Sequence, residues 1–75
     1  MTLEEVSEGQ VVVKSLWGGF GQRRKLLSLG IYPGEKIRVI QNSAFGGPVL
    51  LEVRGVEVAI GRGVARKVEV ENLKK

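Results

Sequence analysis

The chain contains no histidine, no cysteine and no aspartate among its 75 residues. Without histidine it lacks the side chain that most often serves as a general base near neutral pH. Without cysteine it forms no disulfide and offers no thiolate to a metal. The same absence fits a reducing, cytoplasmic setting. The hydroxyls of Thr2, Ser7, Ser15, Ser28, Ser43 and Tyr32 have no activating neighbour in sequence, so no catalysis is expected. Borderline transition metals favour His, Cys and carboxylates, and only glutamate remains here. No metal-binding or cofactor residues are therefore assigned, beyond a weak divalent contact that Glu4, Glu5 or Glu8 could offer. Those three otherwise read as a solvated N-terminal helical turn.

Long apolar runs are also missing. Val11-Val12-Val13 and Val49-Leu50-Leu51 are the longest aliphatic stretches, far below the roughly 20 residues that span a bilayer. The opening MTLEEVSEG is acidic and has no apolar core segment of a signal peptide. One small soluble domain over 1–75 is expected. A chain this short buries only roughly 60% of its unfolded surface, so some apolar burial against a partner is expected.

Aromatic residues are few: Trp17, Phe20, Tyr32 and Phe45. The net charge of +4 and pI near 9.9 direct attention to nucleic acid or an acidic protein surface. Scarce stacking aromatics, and glutamates mixed with the cations, argue against a specific nucleic-acid partner.

Eleven glycines punctuate the chain between short β-branched runs. Five strands are predicted, at about 10–16, 35–41, 48–54, 57–61 and 67–71. Val11, Val13, Ile37, Val39, Val49, Leu51, Val53, Val58, Ile60, Val68 and Val70 alternate with Lys14, Lys36, Arg38, Glu52, Arg54, Glu57, Glu69 and Glu71, as a half-solvated sheet requires. Short strands with Gly-rich turns suggest a small barrel or sandwich. Strand edges carrying little charge leave a homo-oligomer open. Phe45-Gly-Gly-Pro48 reads as a hairpin turn, and residues 64–67 as a helical turn.

One helix is predicted at about 20–29, between the first two strands. Leu26 and Leu29 share a face, Gly30 stands where a helix stops, and Pro33-Gly34 forms a turn into the next strand. Phe20 and Leu27 point elsewhere, flanked by Arg23 and Arg24. Two arrangements follow: Phe20 folds back onto the core ahead of the helix, or Phe20 and Leu27 form a contact surface rimmed by arginines. The backbone donors of Trp17-Gly-Gly-Phe-Gly21 could cup an anion at the helix start, but the spacing matches no P-loop or dinucleotide fingerprint, and a plain strand-to-helix turn is expected.

The order of these elements resembles the ferrous iron transport protein A (FeoA) domain family over nearly the whole chain. Arg24-Lys25-Leu26-Leu27-Ser28-Leu29-Gly30-Ile31-Tyr32-Pro33-Gly34 is similar to the family's Arg-x-Leu-x-x-Leu-Gly-Ile/Leu-x-Pro-Gly. Gly47-Pro48-Val49-Leu50-Leu51-Glu52-Val53-Arg54-Gly55 looks like its Gly-Pro-Ile-x-Ile-x-Val-x-Gly. The segment from Val58 through Ala65 to Val70 resembles its Ile-Ala-Leu-Arg-x-x-x-Ala-x-x-Ile-x-Val ending. Ala44-Phe45 departs from the family, which often has a proline before the Gly-rich turn.

The resemblance implies a mostly β, SH3-like barrel and a cytoplasmic accessory of bacterial ferrous iron uptake. It would work with the FeoB membrane transporter and its GTPase domain. The same domain type forms the C-terminal part of iron-dependent repressors, which implies a metal-responsive alternative. Leu26, Leu29, Gly30, Pro33, Gly34, Gly47, Pro48, Gly55 and Ala65 then read as structural. Phe20, Arg23, Arg24, Leu27 and Tyr32 are the candidate partner-binding residues.

Overall fold

A computed structural model of the chain describes residues 1–43 and 46–73. Five strands form one antiparallel sheet: β1 (Gly9–Leu16), β2 (Lys36–Asn42), β3 (Val49–Val53), β4 (Val56–Ile60) and β5 (Val68–Asn72). Their spatial order is β4-β3-β2-β1-β5. Helix α1 (Phe20–Ser28) joins β1 to β2, and the short helix α2 (Arg62–Ala65) joins β4 to β5. A single 3-10 turn, Leu3–Glu5, precedes the sheet.

Register shifts between Val13 and Ser15 in β1 and between Val39 and Gln41 in β2 supply the extra twist and bend that bulges give a sheet. The bent sheet brings residues of all five strands into one core. Val11, Val13, Ile37, Val39, Val49, Leu51, Val53, Ile60, Val68 and Val70 are buried there, joined by Leu26, Ile31 and Ala65. The period-2 alternation thus selects the inner face, with Val58 only half-buried.

Three features differ from the reading of the sequence. The helical turn sits at Arg62–Ala65 rather than 64–67, because Gly61 stays extended and starts it. Arg54 is not an outer-face strand residue. It forms the β3–β4 hairpin turn with Gly55, both at positive φ (52° and 81°), the pattern of a type I′ turn. The N-terminal residues form the expected helical turn, with Glu5 and Glu8 exposed, but the segment is also fastened to the sheet. Leu3 and Val6 are buried in the core, the Met1 carbonyl accepts from the Val70 N–H at 2.7 Å, and Thr2 bridges to Glu69. The expected Phe45-Gly-Gly-Pro48 turn, and the departure at Ala44-Phe45, fall partly outside the described residues.

Candidate functional site

The direction of α1 is set at its C-terminal end. Ser28 is the last helical residue and Leu29 the cap. The Gly30 N–H bonds the Leu27 carbonyl and the Ile31 N–H bonds the Leu26 carbonyl, both at 3.0 Å. This pair is a Schellman motif, which needs a residue at positive φ just past the cap. Gly30 supplies it at φ +87°, and a Cβ there would meet Val53 Cγ1 at 3.1 Å. Leu26 and Ile31, the two residues joined by the outer bond, are fully buried. One motif therefore ends the helix and presses it onto the sheet.

The turn that follows is fastened to β1. The Glu35 N–H bonds the Tyr32 carbonyl across Pro33-Gly34 at 3.0 Å, with Gly34 at φ +93°, as in a type II turn. The Gly34 N–H bonds the Val13 carbonyl at 2.8 Å, and the Val13 N–H bonds the Glu35 carbonyl at 2.9 Å.

With Leu26 inward, the helix presents Phe20, Arg23, Arg24 and Leu27 on another side. Their spacing of i, i+3, i+4 and i+7 places them on one stripe. Phe20 is 76% exposed and Leu27 48%. Of the two arrangements open for Phe20, the molecule adopts the outward one. The Arg24 guanidinium lies 5.9 Å from the Phe20 ring centroid, within cation–π reach. Trp17, just before the helix, is also exposed, at 58%.

Tyr32 has a different setting. It is half-buried, and the Arg54 guanidinium lies 5.6 Å from its ring centroid. Arg54 Nη2 donates to the Tyr32 hydroxyl. Arg54 also holds Glu35 through two bonds, at 3.0 and 3.2 Å. The trio ties the β3–β4 hairpin tip to the turn before β2.

A second Arg–Glu fork closes the N-terminal end. Arg66 donates to both carboxylate oxygens of Glu4, at 3.0 and 2.9 Å, and Arg62 Nη1 lies 4.0 Å from Glu4. Asn42 is the hub beside it. Its Nδ2 donates to the Glu4 and Val6 carbonyls at 2.8 Å each and to that of Leu3 at 3.5 Å. Its Oδ1 accepts from Arg62 Nη2 at 2.6 Å. Glu5, in turn, accepts the Thr2 N–H at 2.7 Å, and Glu8 is exposed. Glu4 and Glu5 therefore have different hydrogen-bond partners. No group of three carboxylates gathers among the described residues.

Both forks shift acid strength. The hydrogen bonds from Arg66 hold the Glu4 carboxyl below its ordinary value, and those from Arg54 do the same for Glu35. A depressed carboxylate stabilises the fold above the unfolded-state value, about 4.3 for glutamate. That contribution is lost as pH falls through the lower folded values. Thermal midpoints are expected to stay level from about pH 7 to 5, since no histidine titrates there, and to fall below about pH 4.5. The variant Glu4→Gln/Glu35→Gln should start less stable and show a shallower acid decline. An acid decline as steep as wild type in that variant would assign the effect to other groups.

Sequence reasoning missed Asn42 and Arg54. Asn42 lies 36 to 39 residues from its carbonyl partners, and Arg54 lies 19 and 22 residues from Glu35 and Tyr32, so local pattern carries no sign of these contacts. The Arg54-Gly55 pair in front of Val56 was the one available signal, as a two-residue hairpin connection.

A family model described as the FeoA domain matches residues 1–72. A protein of Methanocaldococcus jannaschii named as an Fe(2+) transport protein A is 43% identical over 63 residues, covering 84% of this chain and 74% of its own. A crystal structure described as an iron uptake regulatory protein (FeoA) superposes with a TM-score of 0.91 at 38% identity, covering 97% of each chain. ScaR, solved with bound Cd2+, superposes with a TM-score of 0.89 at 27% identity; there 97% of this chain matches 35% of ScaR.

Proposed function

Because the chain belongs to the FeoA domain family, we propose that it is a cytoplasmic accessory of ferrous iron uptake, acting by contact with the cytoplasmic part of a FeoB-type membrane transporter. The single observation that carries the contact reading is the outward stripe on α1. Phe20 and Leu27 leave apolar surface uncovered on a helix that the fold holds firmly. Aromatic and arginine side chains are the types that dominate protein interfaces. The name of the M. jannaschii relative supplies the iron-transport side of the proposal. The likeness to ScaR supports a second, metal-responsive reading, but the outward stripe does not bear on metal.

The test is capture of the FeoB-type transporter of the same organism, reconstituted at full length in nanodiscs, by the immobilised chain. Wild type is expected to retain the transporter at physiological salt. Leu27→Glu is expected to keep the folded spectrum and to lose most of that retention. Equal retention by a folded Leu27→Glu protein would remove α1 from the contact. Failure of wild type to retain the transporter, with retention of nucleic acid instead, would overturn the accessory reading itself.

A further inference from the structure

The arginines of this chain divide into two groups. Arg38, Arg54, Arg62 and Arg66 each have a glutamate carboxylate within 4.0 Å. Arg23 and Arg24, on α1, have none among the described residues, and neither does Lys25 beside them. The helix sequence FGQRRKLLS contains no acidic residue at all. The cationic field of α1 therefore has no carboxylate beside it within the fold, whereas each guanidinium elsewhere has one, Arg62 and Arg66 sharing Glu4. Arg24 is also oriented, because its guanidinium lies over the Phe20 ring. A planar guanidinium presents a fork of donors suited to a carboxylate.

We propose that the α1 stripe of Phe20, Arg23, Arg24 and Leu27 docks an acidic segment of a protein partner, one that sets carboxylates beside an aliphatic side chain. Charge complementarity selects the carboxylates. Leu27 selects the aliphatic group, since its exposed surface lies on the same stripe as the two arginines. A phosphodiester backbone would bring anions without that apolar counterpart. A bilayer would meet only a nine-residue helix, with few of the apolar side chains that hold an interfacial helix in place. The accessory reading enters only in naming the transporter as the protein that carries the segment.

Two titrations separate the surface from the partner. In the first, a synthetic peptide alternating Glu and Leu is added to the full, 15N-labelled chain at low and at physiological salt. Shift changes are expected to centre on residues 20–27 and to weaken as salt rises. Changes centred elsewhere, or none at low salt, would overturn the proposal. In the second, the transporter in nanodiscs is titrated with wild type, with Arg23→Glu/Arg24→Glu, and with Lys36→Glu as an exposed charge reversal on β2. The double reversal is expected to weaken binding at least about tenfold, the equivalent of about 1.4 kcal/mol. Lys36→Glu should stay within about twofold of wild type. The milder Arg23→Gln/Arg24→Gln variant covers the case in which the double reversal unfolds the helix, and wild-type affinity in it would overturn the proposal.

Peptide shifts on α1 without transporter binding would leave the surface standing and remove the transporter. Transporter binding that the arginine variants do not change would do the reverse. Binding to empty phosphatidylglycerol nanodiscs that equals binding to loaded ones would replace the acidic segment by the lipid surface and overturn the proposal.

Discussion

Leu26→Ala is expected to cost about 3 kcal/mol of folding free energy, in the middle of the range for truncating a buried leucine. Leu26 is fully buried, and it lies at the base of a small, partly open pocket of about 70 Å³ lined by Lys25, Leu29, Ala59, Ile60, Gly61 and Val64. Removing three carbons enlarges a space that the chain has not closed. The neighbours can collapse little, because the Schellman bond from Ile31 fixes the Leu26 carbonyl, and cavity cost rises with the volume that remains. A domain of 75 residues has a total stability of only about 4–11 kcal/mol. The loss should lower the thermal midpoint by roughly 12–24 °C. Urea unfolding with an unchanged slope and a shifted midpoint checks it; a loss below about 1 kcal/mol would show that α1 repacks without this side chain.

Asn42→Leu should come next, at about 2–3 kcal/mol, despite a side chain of similar size that brings more apolar surface. The amide at this position serves three carbonyls of the N-terminal segment and accepts from Arg62. Leucine would leave the Glu4 and Val6 carbonyls part-buried and without this donor, whereas the Leu3 carbonyl keeps the Val6 N–H and Arg62 keeps the Ser43 carbonyl; a buried polar group that loses its partner costs more than a made hydrogen bond contributes. The damage should be regional. The Val70 N–H, bonded to the Met1 carbonyl, is expected to lose hydrogen-exchange protection early, while the β2–β3 ladder keeps its own. Asn42→Asp separates the two sides of the hub. It retains the acceptor for Arg62 but cannot donate to the Glu4 and Val6 carbonyls, so it should be nearly as destabilised as the leucine variant. Wild-type stability in Asn42→Asp would show that the Arg62 bond alone matters.

These two residues mark what was legible in the sequence. Leu26 was visible because its cause is local: it stands three residues before Leu29 and four before Gly30, in a pattern that ends helices. The five strands were visible because valine and isoleucine alternate with charge, and the observed strands depart from the expected ones by about a residue at each end. Asn42 was invisible because its partners arrive from 20 to 39 residues away, on both sides of it in the chain. Leu3 and Val6 were hidden as well, since Glu4 and Glu5 between them give a polar average, while the 3-10 turn aims both apolar side chains inward. The stripe on α1 was half legible. Periodicity grouped Phe20 with Leu27, but only the seating of the helix decides that both face outward.

The way α1 is fastened bears on how it would meet a partner. Its last turn is closed by the Schellman bonds, and the following turn is bonded reciprocally to Val13, so the backbone under the stripe is in place before any encounter. Docking there need not pay for ordering a segment, a cost that weakens many flexible interfaces. What remains to be immobilised is a handful of side chains, each at about 0.5–1.5 kcal/mol. Such preorganisation favours quick capture with little structural rearrangement, and leaves the lifetime of a complex to be set by the four side chains that stand on the helix.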